Sequence, residues 1–67
     1  MWHVYLCDRR GKVYTGITTD LGHRMRQHRA RLLHSEPHAD RHAAARREQE
    51  IKGWRRERKL ALIQGRR

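Results

Sequence analysis

Two stretches, Trp2-His3-Val4-Tyr5-Leu6-Cys7 and Val13-Tyr14-Thr15-Gly16-Ile17-Thr18, decide the fold of this 67-residue chain. Successive side chains of a strand point to opposite faces, so Trp2, Val4 and Leu6 share one side of the first stretch and His3, Tyr5 and Cys7 the other. In the second, Val13, Thr15 and Ile17 oppose Tyr14, Gly16 and Thr18. The polar segment from Asp8 to Lys12 contains Gly11 and reads as the turn of an antiparallel hairpin. If the aliphatic faces coincide, Tyr5 and Tyr14 lie together on the other face. Gly16, on that same face, leaves room for a helix or a phosphate to come close. Two readings of the tyrosines stand open at this point: aromatics packed under a helix, or hydroxyls gathered at a reactive site.

A helix follows. Thr19 or Asp20 is placed to cap it, and Leu21, Met25 and His28 recur at helical spacing, which predicts a stripe packed on the sheet. Arg24 flanks that stripe one turn before His28, within reach of the tyrosine face. As a structural alternative, Arg24 is a solvated arginine and His28 a residue favoured at a helix C-terminus by the dipole. The segment from Ala30 to His34, with Leu32-Leu33, predicts a short third strand ended by Ser35-Glu36-Pro37. Asp40 then caps a helix over about 41–52, with Gly53 as its stop. On it Ala44, Glu48 and Ile51 lie at i, i+4 and i+7, so Glu48 sits on or beside the inward face. A carboxylate there needs either an ion pair with a neighbouring cation or a bound metal ion. Trp54 opens the last segment, either closing the core or stacking on a base, and Leu60 and Ile63 direct one face of a final short helix inward.

Composition limits the function classes. Seventeen Lys and Arg against seven Asp and Glu give a net charge of +10 at pH 7, a balance that points to a polyanionic partner, chiefly nucleic acid. No long apolar run is present, so neither a membrane span nor a signal peptide is expected, and the single cysteine fits a cytoplasmic location. A chain of this length is expected to be one domain, spanning 1–67, with a thin core. Cys7 stands alone and reads as a small apolar strand residue. His34, His38 and His42 recur every four residues, but Pro37 interrupts helical spacing and no Cys or carboxylate completes a tetrahedral zinc set. The run Arg55-Arg56-Glu57-Arg58-Lys59, with Arg66-Arg67, is either a solvated face or a phosphate track.

The order Tyr5, Tyr14-Thr15-Gly16-Ile17-Thr18, Asp20-Leu21, Arg24, His28, Glu48, Ile51-Lys52, Lys59-Leu60, Leu62-Ile63 resembles the GIY-YIG nuclease superfamily, in particular its small stand-alone bacterial members. The likeness spans nearly the whole chain. The two signature tripeptides stand here as His3-Val4-Tyr5 and Tyr14-Thr15-Gly16. The resemblance implies an α/β (α+β) fold, a three-stranded antiparallel sheet flanked by helices, with a divalent-metal site on one face. Only nineteen residues separate His28 from Glu48, so a longer Gly- and Lys/Arg-rich loop usual in such proteins is missing. The C-terminal asparagine of many relatives is missing too.

On that resemblance the expected activity is metal-dependent DNA endonuclease, with Tyr5, Tyr14, Arg24, His28 and Glu48 as catalytic residues. The alternative is a nucleic-acid-binding module of the same fold that cuts weakly or not at all. Glu48 would be the metal ligand, and a single carboxylate suits one Mg²⁺ or Mn²⁺ with water filling most of the shell. Tyr14 or Tyr5 would be the general base. A free tyrosine ionises near about pH 10, so Arg24, His28 or the metal must lower that value or take the proton onward. Arg24 would clamp the scissile phosphate with its planar fork. Contacts to DNA are expected at Gly16, Lys12, Lys52, Arg55 and Arg56.

Overall fold

The computed structural model describes residues 1–65. Arg66 and Arg67, counted above with the basic run, lie outside them. The chain forms β1 (Trp2–Arg9), β2 (Lys12–Thr18), α1 (Leu21–His28), β3 (Arg31–His38), α2 (Arg41–Lys52) and α3 (Arg56–Ile63). β1 is central in an antiparallel sheet of order β2-β1-β3. This is the α+β fold expected.

The hairpin closes more tightly than the sequence suggested. Only Arg10 and Gly11 separate the strands, both at positive φ (55° and 82°), and a two-residue turn of this hand matches the twist of the strands it joins. The Asp8 carboxylate accepts from the Gly11 N–H at 2.9 Å. Val4 pairs with Ile17 and Leu6 with Thr15, so the aliphatic faces coincide as predicted. On that side Val4, Leu6, Ala44 and Ile51 are fully buried, with Trp2, Val13, Ile17, Trp54, Leu62 and Ile63 packed around them. Each large side chain in this cluster contributes on the order of 1.5–3 kcal/mol.

α1 starts where Asp20 accepts from His23 N–H at 3.0 Å, so of the two candidate caps Asp20 is the one used. Leu21, Arg24, Met25 and His28 form its half-buried stripe. Arg29, at φ 50°, ends the helix in the left-handed region, and two residues later β3 begins. α2 has the predicted bounds, capped by Asp40, whose carboxylate accepts from Ala43 N–H at 2.8 Å, and stopped at Gly53.

The third strand is the main correction. It runs to His38 rather than ending at Ser35-Glu36-Pro37. Pro37 is tolerated because β3 is an edge strand, where a missing N–H need not break a ladder. Its polar residues alternate: His34, Glu36 and His38 are half-buried while Ser35 and Pro37 are exposed. Glu36 lies between the two histidines. Arg47 of α2 grips it through Nε at 2.9 Å and Nη2 at 3.2 Å, and the His34 Nε2 atom stands 3.0 Å away. A carboxylate does stand beside His34 and His38, but it is held by arginine rather than completing a tetrahedral set. His42 lies apart, exposed in the first turn of α2. Among the described residues no three His, Cys, Asp or Glu side chains are grouped to hold a metal ion.

Candidate active site

β1 and β2 bring the two tyrosines together as the alternation required. Tyr5 pairs with Gly16 and Tyr14 with Cys7, so Tyr5, Cys7, Tyr14 and Gly16 share the face opposite the aliphatic core. Tyr5 is buried, whereas Tyr14 is 48% exposed. Gly16 has a more specific role than open space for a phosphate. A Cβ built there would lie 2.5 Å from the Tyr5 hydroxyl oxygen and 2.7 Å from Cζ. The phenol lies across the glycine and takes up the room that its missing side chain provides.

α1 supplies the next two residues. The four-residue step stacks Arg24 and His28, and Arg24 Nη1 comes 3.4 Å from His28 Nε2. His28 borders an open cleft of about 180 Å³ with Tyr5, Cys7, Arg9, Tyr14 and Thr15. Arg24 and Glu48 both lie close enough to Tyr5 for their charges to act on its hydroxyl. Burial is the strongest influence and pushes the phenol above its usual 10.0. Arg24 opposes that rise, while Cys7 and Glu48 add to it. At neutral pH Tyr5 is therefore a hydrogen-bond donor. Burial, then the Asp8 carboxylate, likewise raises the Cys7 thiol, which fits a small strand residue rather than a nucleophile.

Glu48 is the carboxylate whose charge acts on Tyr5. Its side chain is only 15% exposed, and its partner among the described residues is Lys52 Nζ at 3.6 Å, one turn along α2. That separation is ion-pair reach but too long for a hydrogen bond. A half-buried carboxylate with oxygens so lightly engaged fits a hard divalent cation whose remaining ligands are water.

The basic residues fall into two groups. Lys52 is tied to Glu48, and Arg55 is exposed where α3 begins. Lys12 and Arg56 converge with Lys59 around Val13 in a second shallow groove. Lys12 also joins Arg9, Arg10 and Tyr14 in a third. Lys59 belongs to the basic run read from sequence as a possible phosphate track, whereas Arg9 and Arg10 are functional candidates that the sequence reading passed over. Arg9 was recoverable, since it continues the alternation Tyr5, Cys7, Arg9 onto the tyrosine face.

These features define a small basic α+β fold with a tyrosine-lined cleft, an arginine and a half-buried acidic side chain within electrostatic range of Tyr5. The chain belongs to the UPF0213 family. It is 41% identical to the UPF0213 protein XAC3202 of Xanthomonas axonopodis pv. citri (strain 306) over 78 aligned positions, covering 94% of this chain and 76% of the relative. The aligned length exceeds the 67 residues present here, so the relative carries residues within that stretch that this chain lacks. No family model and no solved structure matches. No helix among the described residues is long and apolar enough to cross a membrane.

Proposed function

We propose that this protein is a divalent-cation-dependent DNA endonuclease of the GIY-YIG type. The observation that carries the reading is the convergence on one cleft of Tyr5 and Tyr14 from the sheet and His28 from α1, with Arg24 beside His28 and both Arg24 and Glu48 within electrostatic range of Tyr5.

Hydrolysis of a phosphodiester needs an activated water, charge on the phosphoryl oxygens and help for the leaving oxygen. The half-exposed Tyr14, which lines the cleft with His28, would take a proton from water as its own hydroxyl proton passes to His28 or to solvent. Tyr5, kept protonated by burial, donates a hydrogen bond and holds the nucleophile or a phosphoryl oxygen in place. Arg24 binds the scissile phosphate, and His28 orients Arg24 or passes a proton to solvent. Glu48 would hold Mg²⁺ or Mn²⁺, which when bound supplies positive charge against the oxygens of the phosphoryl group.

The test is cleavage of labelled single-stranded, duplex and branched DNA with Mg²⁺, Mn²⁺ or EDTA. Glu48→Gln is expected to keep the fold and much of the DNA affinity but to remove metal-dependent cutting. Tyr14→Phe should lower single-turnover cleavage by about two to four orders of magnitude, as for loss of a general base. Wild-type cutting by both variants would refute the site. The competing reading is a nucleic-acid-binding module without efficient cleavage. It draws on the two-residue link between α1 and β3, where a substrate-gripping loop is missing, and on Lys52 standing against the Glu48 carboxylate. DNA binding with no cleavage under any metal would establish it.

A further inference from the structure

The tip of the β1–β2 hairpin concentrates positive charge at Arg9, Arg10 and Lys12, in places that a hairpin disfavours. Arg9 and Lys12 are direct cross-strand partners, and like charges set opposite each other destabilise a strand pair. Arg10 stands at φ 55°, followed by Gly11 at φ 82°. The first central position of such a turn favours Asn, Asp or Gly, which enter the left-handed region readily, whereas an arginine is strained there. Forming the turn accounts for Gly11 but not for Arg10 or for the Arg9–Lys12 pair.

Nothing nearby balances these charges. Asp8, the acid of the hairpin, falls by alternation on the aliphatic face, and its carboxylate accepts from the Gly11 N–H at 2.9 Å. Among the described residues, Arg9, Arg10 and Lys12 form no ion pair with a carboxylate. They border an open groove of about 320 Å³ together with Tyr14.

That groove is continuous with the tyrosine cleft, since Arg9 and Tyr14 line both. An anion in it would relieve the repulsion between Arg9 and Lys12 and give the arginine forks a partner they can bind bidentately. An occupant that reaches from the cleft into the groove must carry negative charge at regular steps along its length. A nucleic-acid strand does so through its phosphates.

We propose that the hairpin tip is a second phosphate subsite, in which Arg9, Arg10 and Lys12 hold a backbone phosphate flanking the one in the tyrosine cleft. The subsite rests on the nucleic-acid reading above but not on cleavage. Its test is binding of single-stranded and duplex DNA in EDTA over a range of salt, with thermal melts on the same preparations. Arg10→Asn, which suits the turn, is expected to raise the melting temperature by a few degrees and to lower DNA affinity several-fold. The slope of log affinity against log salt should shrink by about 0.7 on the single strand or about 0.9 on the duplex, the value of one phosphate contact. Arg29→Asn is the control, because Arg29 also stands at positive φ, 50°, but borders neither the groove nor the cleft. It should gain stability in the same way and keep the wild-type slope.

Unchanged binding by Arg10→Asn overturns the subsite. So does an equal loss in Arg29→Asn, which would mean that affinity follows net charge alone. A lower melting temperature in Arg10→Asn overturns it too, since the arginine would then serve the turn. Polyglutamate that binds as tightly as DNA, with the same sensitivity to Arg10→Asn, makes the tip a general anion surface and overturns the phosphate assignment. Failure to bind either form of DNA overturns both the subsite and the nucleic-acid reading. The expected slopes without cutting in Mg²⁺ keep the subsite and remove only the nuclease.

Discussion

Gly16 and Tyr5 are coupled by space. The phenol of Tyr5 lies where a Cβ at position 16 would fall, 2.5 Å from its oxygen, and Tyr5 is itself buried, so the ring has little freedom to retreat. Gly16→Ala is expected to destabilise the protein by about 1–3 kcal/mol, the range for overpacking a filled site. It should also move Tyr5 away from Arg24 and Glu48, so cleavage falls by more than the stability loss accounts for. Tyr5→Leu removes the far end of the ring, and the double variant with Gly16→Ala should be more stable than the sum of the single effects. Thermal melts of the four proteins in that cycle check this, and strict additivity would mean that the ring moves aside freely. Without this contact the glycine invites a phosphate-approach reading from sequence, because strand alternation tells which face a residue occupies but not which way a tyrosine leans.

At the scale of elements, β1, β2 and α2 were legible because their signals are local: period-two alternation, a short glycine turn, and an Asp cap with a Gly stop. β3 was legible only in its first half. Its later inward residues are His34, Glu36 and His38, so no apolar pattern marks them, and Pro37 reads as a breaker. What holds them half-buried is a partner distant in sequence, Arg47, which also pairs with Glu50 at 2.8 Å and lies over the Trp54 ring at 5.1 Å. Burial alone would raise the Glu36 carboxyl, but the Arg47 and His34 hydrogen bonds and charges outweigh it, and the net displacement is below the usual 4.5. His38 Nε2, 3.7 Å from the same carboxylate, faces it without a hydrogen bond. A carboxylate lowered in the native state takes up its proton first in the unfolded chain, so stability falls as acid is added. The contribution of Glu36 is present in full above 4.5 and is lost as pH drops through its lower native value. Glu36→Gln should therefore be less stable at neutral pH and show a shallower fall in melting temperature across the carboxylate range. Parallel acid limbs for the two proteins would remove Glu36 as the source of that dependence.

For the whole molecule, charge decides what a small core does not. A net +10 on 67 residues exceeds anything the fold needs, since the internal ion pairs use few of the cations. The tyrosine cleft, the groove beside Arg10 and the groove around Val13 share lining residues, Arg9 and Tyr14 between the first two and Lys12 between the last two. They form a connected basic surface from the candidate site to α3. Binding through such a surface releases counterions, so log affinity for DNA should fall linearly with log salt, the slope shrinking by about one for each phosphate contact removed. Lys12→Gln combined with Lys59→Gln is expected to lower that slope by about two and to leave single-turnover cleavage at saturating protein nearly unchanged. Arg24→Ala should do the reverse, with cleavage reduced at least about a hundredfold, as for a residue that stabilises the transition state, and a slope altered by no more than one contact. Measuring affinity against salt and single-turnover rates on the same preparations separates the two groups of cations. If Arg24→Ala and the double lysine variant weaken binding alike and neither changes the rate of cutting, Arg24 is one more phosphate contact, and the tyrosine cleft loses the group that would make it a reaction centre.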